Sequence, residues 1–147
     1  MAEPSVTFFG PIDTLLGPHM ESLLLVLVIA NFVTRKLAND RHRRQAADGG
    51  AEAVSRHPAH IVTSWLLVLG SLYYLTLHHH SGVVLSTLVL VTFIADFFEF
   101  EARKVEAREE NPIERPLGAV TAGMVALLYS AYLALFTYVQ PIWSSVV

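Results

Sequence analysis

The sequence predicts an all-α integral membrane protein built as a single four-helix bundle. Hydrophobic residues make up 53% of the 147-residue chain and charged residues only 16%, whereas charged residues approach about a quarter of an ordinary soluble domain. Most hydrophobic residues lie in four runs long enough for a helix to cross about 30 Å of hydrocarbon. The short connections leave no room for a second domain. We expect one transmembrane domain over residues 1–147, with spans at 18–37, 60–78, 82–100 and 117–139.

Span one begins at Pro18, a residue that fits the first position of a helix. The chain before it has no basic leader and no small-residue cleavage pattern, so we expect the span to be retained as an anchor. Residues 1–17 mix aromatic and acidic side chains, which is typical of a segment lying at the membrane interface; a flexible tail is the alternative. The helix is expected to continue into a basic loop over residues 38–57.

Spans two and three are predicted to form a tight hairpin. Span two starts after Pro58, and the Ser81-Gly82 pair turns the chain back, so the two helices should be antiparallel neighbours. Span three has no Gly or Pro to end it before Asn111-Pro112, and Glu99 with Arg103 forms a favourable i,i+4 pair. We therefore expect this helix to extend into a charged loop over residues 101–116.

Span four is expected to start at Pro116 and to end at Pro141. Small residues recur along it at steps of three and four, a spacing that lets membrane helices approach closely. Packing inside the monomer and packing against another protein both explain this pattern. The helix-packing residues are Ala119, Gly123, Ala126, Ser130 and Ala134.

The positive charges predict the orientation. All ten Lys and Arg residues lie in segments 35–56 and 103–115, and none lies in the tails or in the hairpin. By the positive-inside rule both segments are cytoplasmic, so both termini and the hairpin should face outward, in a multi-pass protein of the cell membrane.

The two halves of the chain echo each other. Ile29-Ala30-Asn31-Phe32 in span one is similar to Ile94-Ala95-Asp96-Phe97 in span three, and spans two and four share a Tyr-Leu-x-Leu pattern. This predicts a tandem repeat of a two-helix hairpin, in which Asn31 and Asp96 occupy equivalent depths. Chance matches between Leu- and Val-rich segments are the alternative.

Asp96 is the most informative candidate site residue, because a carboxylate in a membrane helix should face the bundle, a wet cavity or a partner. Helical spacing places Thr92, Asp96, Glu99 and Arg103 on one face. One interpretation is an ion or proton site formed by Asp96 and Glu99, with Asn31 and Thr92 assisting. The other is a structural ion pair between Asp96 and Arg35, Arg103 or Arg115.

The outer histidines are weak candidates for a metal site. His78, His79 and His80 are consecutive, and residues about 100° apart on a helix allow at most two of them to share an ion, so His19 would have to help. Polar capping of the hairpin is the plainer interpretation. No central histidine pair suits a haem, and we expect no cofactor.

Enzyme motifs are absent from the sequence: it contains no GxSxG, HExxH, Gly-rich phosphate loop or CxxC, and no cysteine at all. The basic segment after span one is suited to anionic lipid headgroups or to an acidic partner. Nucleic acid is not expected, since no aromatic-studded basic surface accompanies the charges.

The segments LTLHHHSGVVLSTLVL and DFFEFEARKVEAREENPIERP resemble those of small, uncharacterised four-helix membrane proteins of halophilic archaea. The resemblance covers nearly the whole chain and implies an archaeal membrane protein, but no activity, substrate or catalytic residue. The expected function is therefore a non-enzymatic accessory or scaffold protein that assembles with itself or with a larger membrane partner. The alternative is an oligomeric proton, cation or metal channel or transporter that uses Asp96.

Overall fold

The computed structural model describes residues 9–111 and 117–147. Within those residues the chain is helical and contains no strand. The interfacial segment predicted for residues 1–17 falls partly outside this description, as do the predicted start at Pro116 and the candidate ion-pair partner Arg115.

A short helix precedes four long ones in the described residues. The long helices each contain a stretch long and apolar enough to cross a membrane. Brief 3-10 turns lie at Gly17–His19 and Ala51–Ala53. The helices are α1 (Pro11–Leu16), α2 (Met20–Gly49), α3 (Pro58–Leu77), α4 (His79–Arg108) and α5 (Leu117–Val146).

The four long helices form a closed bundle. Each packs on the next helix along the chain, and α5 packs back on α2. This arrangement is what short connections between antiparallel neighbours produce. The bundle has a hairpin end, where α3 and α4 are joined at His78, and a basic end, where Arg35, Arg56 and Arg103 lie.

The α3–α4 hairpin turns at a different residue from the one expected. The single residue His78 has extended backbone angles (φ −136°, ψ 100°), and α4 already begins at His79. Ser81 and Gly82 therefore belong to the first turn of α4. Gly82 allows α3 and α4 to approach closely, because a Cβ there would lie 2.3 Å from the Leu75 Cα.

The last helix continues beyond the expected stop. Pro141 lies inside α5, which runs to Val146. Proline removes one backbone hydrogen bond, and long apolar helices tolerate that loss better than short soluble ones.

The interior changes character along the bundle. Near the hairpin end it is mainly apolar, with Leu24, Val28, Leu85 and Val89 fully covered, and its polar contacts include the hydrogen bonds from Tyr73 to Asp13 and from Tyr74 to Glu21. Towards the basic end the buried positions of α2 become polar, with Asn31, Thr34, Arg35, Asn39 and His42. Steps of three and four residues keep these side chains on one inward face of α2.

The outer surface is apolar. Large hydrophobic side chains stand exposed on every long helix, among them Val26, Leu69, Phe98 and Leu128, each more than half exposed. Buried polar side chains at one end, inside an apolar exterior, reverse the arrangement of a soluble domain. It is the arrangement expected for helices surrounded by lipid.

Candidate functional site

A network of polar side chains joins α2, α3 and α4 near the basic end. We call it the polar cluster. Each member contributes to a chain of hydrogen bonds that runs across the three helices. Its members are Asn31, Thr34 and Arg35 of α2, His60, Thr63 and Ser64 of α3, and Asp96 of α4.

Arg35 and Asp96 form the centre of the polar cluster. The Arg35 Nε donates to Asp96 Oδ1 at 3.0 Å, and Arg35 Nη2 donates to Asp96 Oδ2 at 2.9 Å. Side-chain exposure is 3% for Arg35 and 15% for Asp96. A bidentate guanidinium–carboxylate pair of this kind combines charge with fixed geometry. Of the three arginines considered from the sequence, the structure pairs Asp96 with Arg35.

Asn31 extends the ion pair towards α3. Its Oδ1 accepts from Arg35 Nη2 at 2.7 Å, while its Nδ2 donates to the hydroxyls of Thr63 and Ser64 at 3.2 and 3.1 Å. Arg35 therefore touches both Asn31 and Asp96. The tandem repeat stays a prediction.

His60 joins α3 to the same carboxylate. Its Nε2 lies 3.3 Å from Asp96 Oδ2, and its Nδ1 lies 3.0 Å from the Thr34 hydroxyl. Thr34 also contacts the Thr63 hydroxyl at 2.9 Å. Asp96 is consequently held by one side chain from α2 and one from α3.

A second polar layer lies one to two turns further towards the basic end. Arg103 Nη1 lies 3.1 Å from His42 Nδ1, and His42 Nε2 lies 2.9 Å from the Ser55 carbonyl. Since Arg103 can only donate, Nδ1 accepts and the His42 proton resides on Nε2. His42 is thus a neutral bridge between α4 and the α2–α3 loop.

Glu99 and Thr92 have local structural contacts. Glu99 Oε1 accepts from the backbone N–H of Ala119 at 3.0 Å, so it caps the first turn of α5. Thr92 is buried, and its hydroxyl donates to the Leu88 carbonyl of its own helix. The structure thus brings Asn31 and Asp96 together, places Glu99 at the next turn and leaves Thr92 outside the polar cluster.

The small residues of α5 face the interior of the bundle. Gly123 lies against α2, since a Cβ there would come 3.0 Å from Phe32 Cζ and 3.3 Å from Arg35 Nη1. The remaining members of the stripe are almost fully covered by neighbouring helices. They are Ala119, Ala126, Ser130 and Ala134.

The outer histidines are exposed and spread apart. His19, His78, His79 and His80 all lie at the hairpin end with exposed side chains. Across residues 9–111 and 117–147 no group of three or more His, Cys, Asp or Glu side chains is placed to hold a metal ion. The geometry therefore gives the metal hypothesis no support.

A cavity of about 390 Å³ opens beside the polar cluster, between α3 and α4. We call it the lateral cavity. Its polar wall includes His57, His60, Asp96 and Arg103, with Arg56 at the rim. Aromatic side chains form the other wall, where Trp65 and Phe93 meet edge to face at 5.2 Å.

The sequence does not single out several residues of this region. His60, Thr63 and Ser64 are not recognisable as site residues, because a predicted span that begins at residue 60 does not indicate which of its side chains face α2. His42 was counted only as part of a basic loop. A signal did exist: Asn31, Thr34 and Arg35 follow Leu24 and Val28 at helical spacing, so they continue the inward face of α2.

Comparisons with known proteins place the chain in a family. The profile of DUF7313, described as a domain of unknown function, matches residues 3–147, and the chain belongs to this family. The chain matches no curated protein and no solved structure. The family description carries no source organism and no membrane assignment, so the resemblance to membrane proteins of halophilic archaea stays a prediction.

Proposed function

We propose that this DUF7313 protein is a non-enzymatic accessory or scaffold protein of the cell membrane, which assembles with itself or with a larger membrane partner. The proposal rests on the contacts that the Asp96 carboxylate makes. Both of its oxygens contact Arg35, and His60 contacts one of them. The most informative acidic residue in the spans is therefore occupied in holding three helices together.

This occupancy argues against the channel alternative. A carboxylate that binds and releases a proton or cation must exchange its partners, whereas breaking a buried ion pair leaves an uncompensated charge. One oxygen of Glu99 is occupied as well, because Oε1 caps α5, while the buried Oε2 makes no hydrogen bond and faces Arg103 Nη2 at 3.9 Å. The ion or proton site is consequently the less supported hypothesis.

The basic end is proposed to face the cytoplasm. Arg35, Arg56 and Arg103 gather there, and positively charged loops are retained on the cytoplasmic side. Both termini then lie outside with the hairpin. A cysteine introduced at Ser81 of this cysteine-free chain should react with an impermeant thiol reagent in intact cells. Labelling only after lysis would reverse the orientation.

The charged ends of α2 and α4 are the proposed assembly surface. The small-residue face of α5 is used inside the bundle, so it is not available to a partner. Beyond the apolar spans, α2 and α4 instead border an open groove of about 1140 Å³. Its walls carry charges of both signs, including Glu52, Arg108 and Glu110.

Ion flux in reconstituted liposomes tests the proposal. We expect purified protein to conduct no protons, Na⁺ or K⁺ above protein-free liposomes, with no change in Asp96→Asn. Glu101→Gln is the matched control, because Glu101 is a half-exposed carboxylate on the same helix. Flux that is abolished by Asp96→Asn and retained by Glu101→Gln would replace the scaffold proposal by the channel alternative.

A further inference from the structure

The lateral cavity joins positive charge to an apolar wall. Arg56 lies over the rings of Phe97 and Phe100, at 5.1 and 4.2 Å from their centroids. Arg103 forms part of the same lining and is almost fully buried. A ligand in this cavity would meet two guanidinium groups, one of them stacked on aromatic rings, together with further aromatic side chains.

Two buried donor or acceptor atoms at the cavity have no hydrogen-bond partner. They are Arg103 Nη2 and His57 Nδ1. Buried polar atoms are almost always paired, so each unpaired atom calls for a physical explanation. Arg103 Nη2 faces Glu99 Oε2, which is also buried without a hydrogen bond, in an ion pair of 3.9 Å that is beyond hydrogen-bond distance, so Arg103 Nη2 keeps an unused donor.

The start of α3 adds further donors. His57 is the N-cap residue of this 20-residue helix, and its side chain makes no capping hydrogen bond. The first N–H groups of a helix have no partner inside the helix, and this end of the helix favours anions. Arg103 and His57 both line the cavity, and His57 places the first turn of α3 next to it.

The acidic residues nearby have partners of their own. Asp96 is bound by Arg35 and His60, Glu99 Oε1 caps α5, and Glu99 Oε2 faces Arg103 Nη2 at 3.9 Å without a hydrogen bond. Glu101 lies 3.6 Å from the Arg56 guanidinium and 3.8 Å from Lys104 Nζ. These contacts are longer than those of the Arg35–Asp96 pair, so Arg56 can be shared with a ligand.

The apolar wall opens towards the lipid-facing surface. Ile61, Trp65 and Phe97 line the cavity and are all exposed on the outside of the bundle. An acyl chain could therefore lie along these side chains while its headgroup reaches inward. A small anion bound from water would make no contact with these apolar side chains.

We propose that the lateral cavity binds the phosphate headgroup of an anionic phospholipid, held by Arg56, His57 and Arg103, with an acyl chain against Trp65 and Phe93. Basic pockets between membrane helices are suited to such headgroups. This site is separate from the assembly surface, and its test does not depend on the accessory role.

Trp65 provides a direct reporter of occupancy. The chain has two tryptophans, and Trp143 lies exposed near the end of α5, so Trp143→Phe leaves Trp65 as the single tryptophan, which is excited selectively at long wavelength. The variant is reconstituted in phosphatidylcholine vesicles that contain a few per cent of phosphatidylglycerol with brominated acyl chains. Brominated phosphatidylcholine at the same mole fraction is the reference. We expect brominated phosphatidylglycerol to quench Trp65 several-fold more strongly.

Charge variants separate a site from general attraction. Arg56→Gln should weaken the apparent affinity for phosphatidylglycerol about fivefold, as expected for one cation close to an anionic headgroup. Lys36→Gln, which removes an equally charged but 78% exposed side chain, should change it less than about twofold. Arg56→Lys should recover most of the affinity, which shows that the fold is intact.

Three results would overturn the proposal. The first is equal quenching by the two brominated lipids. The second is an equal loss of affinity in Arg56→Gln and Lys36→Gln, which would mean diffuse attraction to the membrane surface. The third is relief of quenching by millimolar inorganic phosphate, which would assign the cavity to a free anion.

Discussion

The contact between Arg35 and Asp96 explains why charged side chains exist inside an apolar bundle. Neither residue is stable alone in a dry interior, since removal of one partner leaves the other charged and unpaired. Asn31 and His60 add hydrogen bonds to the pair, while Arg35 Nη1 is buried without a hydrogen-bond partner. A pair satisfied from two neighbouring helices specifies which helices meet and at what level.

Glu99 is predicted to stabilise the first turn of α5. Glu99→Ala removes the acceptor of the Ala119 N–H, so we expect the free energy of unfolding to fall by about 0.5–2 kcal/mol, the usual cost of losing a helix cap. Denaturant titration of the detergent-solubilised protein measures this. Glu101→Ala on the outer face should cost less than about 0.5 kcal/mol, and equal effects of the two variants would contradict the capping role.

At the scale of the helices, Gly82 sets the distance between α3 and α4. A Cβ at this position would lie 2.3 Å from the Leu75 backbone, which cannot yield as a flexible side chain would. We expect Gly82→Ala to lower the free energy of unfolding by at least about 1–3 kcal/mol. Gly17→Ala is the control, because its Cβ would meet only Leu77 Cδ1 at 3.8 Å. Unchanged stability in Gly82→Ala would show that the hairpin is looser than described.

Gly123 similarly sets the contact between α5 and α2. A leucine there would collide with Phe32 and displace Arg35, so Gly123→Leu should destabilise the isolated protein by more than about 1–3 kcal/mol. Val125→Leu, on the exposed face of α5, should have little effect. If Gly123→Leu leaves stability unchanged and only alters oligomeric state, the small-residue stripe serves a partner.

The elements themselves were largely predictable from the sequence. The four long apolar helices could be predicted because hydropathy over about 20 residues is sufficient to identify a helix of membrane length. The turn was harder to place. Ser81-Gly82 has the composition of a turn, but Gly82 is required by a helix contact that only the packed hairpin reveals, and His78 makes the turn.

At the scale of the whole molecule, the partners in the polar cluster could not be deduced from sequence. Asp96 and Asn31 were conspicuous as polar residues in apolar runs. The choice of Arg35 over Arg103 depends on the relative rotation and depth of α2 and α4, which no local pattern records. His60 was hidden for the same reason, since it lies at the start of α3 and reaches Asp96 only across the bundle.

The bundle thus has a mainly apolar half, where close packing at Gly82 and two tyrosine–carboxylate hydrogen bonds fix the contacts, and a polar half, where the polar cluster joins three helices. Apolar surface alone discriminates little between alternative pairings, because lipid is as apolar as the helix surfaces. The polar cluster supplies most of that discrimination at the basic end. This division makes a rigid platform from which the charged ends of α2 and α4 extend.

A double-variant cycle on Arg35 and Asp96 tests this structural role most directly. We expect Arg35→Met and Asp96→Leu each to lower the free energy of unfolding by about 3–5 kcal/mol, and the combined variant to lose less than either, because no unpaired charge remains. The exposed pair Lys36–Asp40, at 3.6 Å, serves as control, and its coupling should be about 0.3–0.5 kcal/mol. Additive losses in the Arg35–Asp96 cycle, or an Asp96→Leu variant as stable as the parent, would contradict the account.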